Sequence, residues 1–184
     1  APGGRHGELN IKPDLITLGK YLGGGVSFGG FGGRSDVMEG FNPRSENAWR
    51  HAGTFNNNIM TMTAGLAGLT QLFTPEACIE LNKKGDDFRA RLNKTIQERS
   101  LSIQVTGLGS MNNVHFTDVP MERPHTDPVS SRKGDLMHLD MLKLGVYHAR
   151  RGMMNLSLPM TDTDIDLAVS AFEEFLDSRR AILK

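Results

Sequence analysis

The chain has 184 residues, enough for one domain with a substantial core or for two small domains. Its 21 basic side chains balance 21 acidic ones and form no basic stripe, so nucleic acid is not expected as a partner. No run approaches about 18 consecutive apolar residues, so no transmembrane helix is expected. The single cysteine, Cys78, excludes an internal disulfide and, without an apolar leader segment, predicts a cytoplasmic protein.

The first part of the chain predicts mixed strands and helices. Residues 14–18 favour a strand, and the glycine-rich stretch 23–34 favours a second strand that tolerates close backbone approach. A short helix is predicted at 35–39 and a loop at 42–50. A longer helix is predicted at 58–73.

The helix at 58–73 is expected to pack closely on a sheet because small residues recur along it. The small residues are Ala64, Gly65, Ala67 and Gly68. The predicted core face consists of Met60, Thr63, Ala64, Ala67 and Leu72.

The next helix has a clear start at Thr74, which is followed by a proline and an acid. It is predicted to continue to about Ser100 with one charged, solvated face. Its predicted apolar stripe is Ile79, Leu81, Phe88, Leu92 and Ile96.

After Ser100 the pattern changes to short apolar runs. Strands are predicted at 103–106 and 113–117 around a turn at 107–109, followed by a polar loop at 119–131.

The end of the chain predicts two helices separated by a hairpin. The first helix is expected at 133–144 with Gly145 as its C-cap, and the hairpin at 147–158. A start that resembles a capping box, at 161–164, precedes a last helix at 165–179.

Lys20 is the first candidate functional residue. It follows the first predicted strand and precedes three glycines, Gly23–Gly25. A Schiff-base lysine needs a fixed stem, a desolvated amine and room for a flat aldehyde, and this position provides for all three. On spacing alone, an ordinary strand-end lysine that reaches solvent is the alternative.

Two other positions suggest anion binding. Gly53 and Thr54 precede a predicted helix, where a hydroxyl group and free backbone N–H groups suit a phosphate, although Thr54 could be an ordinary N-cap or a loop residue. Arg151 precedes Gly152, and its guanidinium could bind a carboxylate through two parallel hydrogen bonds. A surface arginine is the alternative, as is expected for Arg150. The six histidines show no metal-ligand spacing, so no metal site is predicted.

Three segments resemble class III aminotransferases, which are fold type I enzymes that use pyridoxal phosphate. The segments are PDLITLGKYLGGGVSFGGFGGR, HAGTFNNNIMTMTAGLAGLTQL and GVYHARRGMMNLSLPMTDTDID. The first two resemble the family that includes glutamate-1-semialdehyde aminomutase, and the third resembles β-phenylalanine (β-amino-acid) aminotransferases.

The resemblance implies an α/β fold and a domain order. Residues 1–75 would be part of the large cofactor-binding domain, with its mostly parallel sheet. Residues 76–100 would form a long connecting helix, and residues 101–184 a small α+β domain. The chain would be the C-terminal portion of the enzyme, because the other cofactor-binding elements of the family would lie upstream of residue 1.

The resemblance also implies roles. Lys20 would form the Schiff base with pyridoxal 5′-phosphate and then transfer the proton. Gly53 and Thr54 would bind the cofactor phosphate, with Thr54 contributed across a homodimer with shared active sites. Arg151 would hold the substrate carboxylate. The expected partners are small amino acids and keto acids, a second subunit and the N-terminal half of the same enzyme.

Two alternatives remain open at this stage. One is an aminomutase of the glutamate-1-semialdehyde type, which moves an amino group within one substrate. The other, of a different class, is an inactive fragment or pseudoenzyme that acts as a binding partner. Intact Lys20, Thr54 and Arg151 argue against such decay.

Overall fold

The computed structural model describes residues 2–122 and 127–184. The chain divides into two compact units, Ala1–Ile79 and Glu80–Lys184. Part of the predicted loop at 119–131, including His125, lies outside the described residues. No helix within the described ranges is long and apolar enough to cross a lipid bilayer.

The first unit contains a two-stranded antiparallel sheet. Strands β1 (Leu15–Gly19) and β2 (Gly29–Gly33) pair with Leu15 opposite Gly33. Both predicted strands are confirmed. Close backbone approach is confirmed at Gly33, where a Cβ atom would lie 2.0 Å from the carbonyl oxygen of Asp14.

The helices of the first unit are short. Helix α1 (Gly4–Glu8) precedes the sheet, and α2 (Ser35–Met38) confirms the predicted short helix. Helix α3 (Ile59–Ala67) continues as a π-helical turn, Gly68–Leu72, so the helix predicted at 58–73 is confirmed. Its N-cap is Asn58, whose side chain accepts a hydrogen bond from the Thr61 N–H at 3.2 Å.

The predicted core face of α3 is wrong. Met60 is 74% exposed and Leu72 is 68% exposed, whereas Thr61 and Gly65 are buried. The reason is that α3 packs against backbone and not against apolar side chains. The Thr61 hydroxyl group donates to the Ser27 carbonyl at 3.2 Å.

The surface that receives α3 is the 3₁₀ turn Lys20–Gly23, which follows β1, and not the sheet itself. A Cβ atom at Gly65 would lie 2.3 Å from the Leu22 carbonyl oxygen. A Cβ atom at Gly24 would lie 2.2 Å from the Ala64 carbonyl oxygen. Small residues therefore permit close packing, as predicted, but the partner is a turn.

Helix α4 (Pro75–Glu98) starts as predicted and ends two residues before Ser100. The Thr74 hydroxyl caps it by accepting the Ala77 N–H at 3.2 Å. Its apolar stripe is confirmed at the buried side chains Phe88, Leu92 and Ile96, but Ile79 is largely exposed.

The second unit contains a hairpin that is held by α4. Strands β3 (Gln104–Leu108) and β4 (Met111–His115) are antiparallel, with Leu108 opposite Met111. The turn therefore lies at Gly109–Ser110 and not at 107–109 as predicted.

Two side chains of α4 fix this position of the turn. The Asp86 carboxylate accepts the Gly109 N–H at 3.1 Å, and the Asn82 side-chain oxygen accepts the Ser110 N–H at 3.2 Å.

Two longer helices complete the second unit. Helix α5 (Pro128–Lys143) starts five residues before the prediction, because Asp127 caps it and Pro128 occupies the first turn. Helix α6 (Asp162–Ser178) confirms the last predicted helix, and the capping box of Thr161 and Asp164 is present. A short helix, α7 (Arg180–Leu183), follows it.

The hairpin predicted at 147–158 does not form. None of those residues, all of which the structure describes, lies in a strand, and one isolated bridge joins Met153 to Asn113 of β4. A tight turn occupies 149–152 instead, and Gly152 adopts φ +88°.

The second unit has a continuous apolar core between α4, α5, α6 and the β3–β4 hairpin. A partly buried ion pair borders it: Arg179 donates to both oxygens of Asp140 at 2.7 and 3.1 Å and lowers the pKa of that carboxyl. The largest fully buried side chains are Phe88, Leu92, Asn112, Met137, Met141, Phe172, Phe175, Leu176 and Leu183.

One histidine is buried beside this core. His148 is 5% exposed, and its Nδ1 atom lies 2.9 Å from the carbonyl oxygen of Ala149. Burial, the largest effect, lowers the pKa of His148 below its ordinary value. The neutral imidazole is therefore the form that suits the fold.

The packing of α3 predicts a position-specific cost. Gly65→Ala should lower the free energy of unfolding by about 1–3 kcal/mol, because the new methyl group meets backbone that cannot move aside. Chemical denaturation followed by circular dichroism measures this. Gly68→Ala is the matched control in the same helical stretch, since its Cβ atom would make only an ordinary 3.4 Å contact. Equal stabilities of the two variants would contradict this account of the packing.

The burial of His148 predicts a dependence of stability on pH. The unfolded chain binds a proton near the ordinary histidine pKa of about 6.5, whereas the folded protein binds it only at lower pH. Stability from His148 is therefore fully present above about pH 6.5 and is lost as the pH falls below it. His148→Phe should reduce the slope of unfolding free energy against pH. An unchanged slope in His148→Phe would refute this role.

Candidate functional site

Lys20 occupies an unusual backbone conformation. It follows the last residue of β1, opens the 3₁₀ turn Lys20–Gly23 and has φ +55°. A residue with a side chain pays about 1–2 kcal/mol in this left-handed region, which glycine adopts readily. Such strain persists only where the surroundings enforce it, and it is concentrated at functional sites.

The surroundings of Lys20 are the backbone contacts described above. Leu22 and Gly24 lie against α3, so the turn that begins at Lys20 is held from its far end. The left-handed conformations of Gly24 and Gly25, at φ +60° and +91°, reverse the chain after the turn. Lys20 thus has the fixed stem that the sequence predicted.

The Lys20 side chain itself is exposed in this structure, which differs from the desolvated amine expected from the sequence. Within residues 2–122 and 127–184, no carboxylate forms an ion pair with it. An amine that is not neutralised by an acid and stands beside glycines is compatible with attachment of an aldehyde cofactor.

Gly53 and Thr54 lie in an exposed turn. The Asn56 N–H donates to the Gly53 carbonyl at 3.0 Å, and the turn spans 54–57. Thr54 is four residues before the N-cap Asn58, so the N-cap alternative is wrong, whereas the loop alternative agrees with its position in this exposed turn.

Arg151 is presented by the tight turn at 149–152. The Gly152 N–H donates to the Ala149 carbonyl at 2.9 Å, and the Ala149 N–H donates to the Met153 carbonyl at 3.2 Å. A Cβ atom at Gly152 would lie 2.7 Å from the carbonyl oxygen of Val114 on β4. Glycine is therefore required both for the φ angle and for the contact with the strand.

The two adjacent arginines of this turn differ in their partners. Arg150 is exposed and donates to both carboxylate oxygens of Asp135 at 2.5 and 2.7 Å. Arg151 donates from Nε to the sulfur of Met153 at 2.8 Å. Among the described residues it has no acidic partner, so its terminal nitrogens are available to a carboxylate.

A cavity of about 730 Å³ adjoins the turn in the second unit. Arg151 and Met153 line it from the turn. Thr106, Asn113 and His115 line it from the β3–β4 hairpin. Its wall also includes Arg150 and Asp135, which pair with each other, so Arg151 is the lining cation without an acidic partner among the described residues. One unpaired cation among neutral polar groups suits a small carboxylate ligand.

The polar side chains of the hairpin form a small network. The Thr106 hydroxyl oxygen lies 2.8 Å from His115 Nε2, and Asn113 Nδ2 donates to the same ring nitrogen at 3.3 Å. Burial lowers the pKa of His115, which favours the neutral ring.

Sequence reasoning missed this network. The available signal was the alternation along two paired strands, since Thr106 is opposite Asn113 in the register and His115 is two residues further on the same face.

A metal centre has no support in the described part of the chain. No group of three or more His, Cys, Asp or Glu side chains there could hold a metal ion.

Sequence comparison identifies the relatives of this chain. Residues 4–176 match the family described as aminotransferase class-III. The chain is 48% identical over 185 aligned residues to the β-phenylalanine transaminase of Variovorax paradoxus, with all of the chain and 42% of that protein covered. It is 40% identical over 117 residues to the glutamate-1-semialdehyde 2,1-aminomutase of Methanothermobacter thermautotrophicus, covering 64% of the chain and 27% of that protein.

Solved structures give the same relationship. The crystal structure of the β-phenylalanine aminotransferase from Variovorax paradoxus matches with a TM-score of 0.93 at 46% identity, covering all of the chain and 43% of that protein. An ω-transaminase from Sphaerobacter thermophilus matches with a TM-score of 0.87 at 31% identity, covering 97% of this chain and 41% of that protein. A transaminase with PLP bound matches with a TM-score of 0.85 at 26% identity, covering all of this chain and 42% of that protein.

These matches confirm the fold prediction: the chain has the α/β architecture of part of a fold type I aminotransferase. It spans about 42% of the length of the curated relative with which it shares 48% identity. The family match covers nearly the whole chain, and the chain belongs to the class III aminotransferase family.

Proposed function

We propose that the polypeptide that contains this chain is a pyridoxal-phosphate-dependent aminotransferase that transfers the amino group of a β-amino acid to a keto acid. The observation that carries the proposal is Lys20, a strained lysine with an amine that no described acid neutralises. The 48% identity to a β-phenylalanine transaminase supports the β-amino-acid class. The chain covers less than half of that relative, so the activity is proposed for the longer polypeptide.

In this proposal Lys20 holds the cofactor and then transfers the proton. Pyridoxal phosphate, when bound, supplies the electron sink that makes the carbon next to the substrate nitrogen acidic. The Lys20 amine, once released by the incoming amino group, removes the proton from that carbon. The fixed backbone of the Lys20–Gly23 turn limits where the amine can reach, so the proton is transferred at a defined position.

Gly53 and Thr54 are proposed to bind the cofactor phosphate through backbone N–H groups and the Thr54 hydroxyl. Their exposure supports this role, because neither residue is packed in an apolar core of the described chain and both are accessible to a phosphate. Arg151 is proposed to hold the substrate carboxylate, because its terminal nitrogens are free and it lines the polar cavity of the second unit.

A homodimer with shared active sites is proposed as the functional assembly. The first unit exposes more large apolar side chains than an isolated surface normally carries, and such surfaces mark contacts with another chain or segment. The proposed partners are a second subunit and the remainder of the same enzyme. The exposed apolar side chains include Tyr21, Trp49, Phe55, Ile59, Met60, Leu66 and Leu72. The cytoplasmic location stays a prediction from the sequence.

An aminomutase is the second candidate, favoured by the 40% identity to a glutamate-1-semialdehyde aminomutase. Absorbance after addition of an amino donor without an acceptor distinguishes the two reactions. A transaminase retains the amino group on the cofactor when the keto product leaves, whereas an aminomutase returns it to the same carbon skeleton. The higher identity to the β-phenylalanine transaminase, 48% over the whole chain, favours the transaminase.

The role of Lys20 is tested by absorbance. The purified full-length protein should show the visible band of lysine-bound pyridoxal phosphate, and β-phenylalanine without an acceptor should convert it to the near-ultraviolet band of the aminated cofactor. Lys20→Ala should lose the lysine-linked band and lose transamination by several orders of magnitude. Lys12→Ala is the control. A lysine-linked chromophore in Lys20→Ala would show that another lysine binds the cofactor.

The role of Arg151 is tested by comparing substrates. Arg151→Ala should raise the KM for a β-amino acid about tenfold or more, as expected for loss of a charged hydrogen bond of about 1.5–3 kcal/mol. The KM for an amine without a carboxylate should change little. Arg91→Ala is the control, since Arg91 pairs with Asp166 on another surface of the second unit. Equal changes for both substrates would rule out carboxylate binding by Arg151.

A further inference from the structure

The turn that carries Arg151 is attached to helix α5 at two points. At the first, Arg150 makes its two hydrogen bonds to Asp135. At the second, the ring of His138 packs edge-on against His148 and Tyr147, with ring centroids 5.3 and 5.9 Å apart. Asp135 and His138 are three residues apart, so they lie on one face of α5.

Backbone hydrogen bonds hold the C-terminal side of the turn on β4: the Val114 N–H donates to the Gly152 carbonyl at 3.0 Å, and the Met154 N–H donates to the Asn112 carbonyl at 2.9 Å. The attachments to α5 act on the other side of the turn, at His148 and Arg150. Arg150 and Arg151 are neighbours in this turn, and both line the cavity. Once Asp135 holds Arg150, the Arg151 guanidinium extends along Met153 on the cavity wall.

We propose that Asp135 and His138 are positioning residues for Arg151: Asp135 occupies the Arg150 guanidinium so that it does not compete for the ligand, and His138 fixes the start of the turn through His148. The inference rests on the proposed function, since it assumes that Arg151 binds the substrate carboxylate. It adds residues and a pH dependence that the family membership does not specify.

The Asp135–Arg150 pair suits a role in orientation and not in stability. Its side chains are 42% and 72% exposed, and exposed ion pairs contribute little to folding. Its two parallel hydrogen bonds do, however, define a direction. Without Asp135, Arg150 is a second free cation beside Arg151 and can compete with it for a carboxylate.

His148 makes the attachment sensitive to pH. The buried atoms His138 Nδ1 and His148 Nε2 have no hydrogen-bond partner of acceptable geometry in the described structure. A proton added to His148 Nε2 would create a buried donor without an acceptor and a cation in contact with the His138 ring. The carbonyls of Ala149 and Met137 favour the charged form of His148, but burial outweighs them.

The other groups around the pair do not offset this cost. Asp135 on α5 is already bonded to Arg150, and Asp164 of α6, which lines a second cavity with His148, is bonded in the Thr161 capping box. The turn itself adds the cations Arg150 and Arg151 and the phenol of Tyr147. Protonation should therefore loosen the turn as the pH falls below about 6.5.

The test measures binding of 3-phenylpropanoate, a carboxylate that lacks the reacting amine, to the full-length holoenzyme by isothermal titration calorimetry. Asp135→Asn should raise the Kd about three- to fivefold, since it removes an exposed ion pair. Asp135→Glu should restore much of the affinity, because it keeps the carboxylate. Asp166→Asn, which removes the exposed pair with Arg91, should leave the Kd unchanged.

The pH profile separates positioning from a purely structural role. Between pH 7.5 and 5.5 the wild-type Kd should rise about fivefold, since protonation of His148 favours a loosened turn over the packed one. His148→Phe keeps an aromatic ring against His138 but removes the group that gains the proton, so its Kd should change less over the same range. An equal pH profile in wild type and His148→Phe would overturn this role of the ring contact.

The outcomes distinguish failure of carboxylate binding by Arg151 from failure of the positioning roles. If the wild type does not bind 3-phenylpropanoate, or if Arg151→Ala binds it equally well, the carboxylate role of Arg151 fails and the positioning roles fail with it. If Arg151→Ala weakens binding but Asp135→Asn binds equally or more tightly, only the positioning role of Asp135 fails.

Discussion

The direct backbone contact between helix α3 and the turn after Lys20 is the constraint on which the first unit depends. Gly65 meets the Leu22 carbonyl and Gly24 meets the Ala64 carbonyl, at distances that leave no room for a side chain. This contact holds the far end of the turn. The near end is fixed by the pairing of β1 with β2. Between these two restraints Lys20 is kept in a left-handed conformation that its own preference disfavours.

The second unit presents the candidate residue Arg151 by a different physical means. It has an apolar core, and its cavity-facing residues stand on a short hairpin and a tight turn. The turn is directed by polar contacts with a helix, which are specific in direction but weak in energy.

Local sequence signals predicted most of the elements and the candidate residues. Proline and threonine at Thr74 and Pro75 marked the start of α4, and the capping box at Thr161 marked α6. The start of α5 was missed although Asp127 and Pro128 carry the same type of signal, because the polar composition of the segment favoured a loop. The core face of α3 was missed because periodicity assumes that apolar side chains make the contact.

The sequence by itself determined the family, the order of elements and the position of Lys20, because these depend on motifs and on residues close together in the chain. Only the tertiary structure decided the strain at Lys20, the pairing of Arg150 with Asp135 and the polar network of Thr106 and His115. These features depend on which backbone groups and side chains meet across the fold. Residues far apart in the chain carry no local pattern that could specify such contacts.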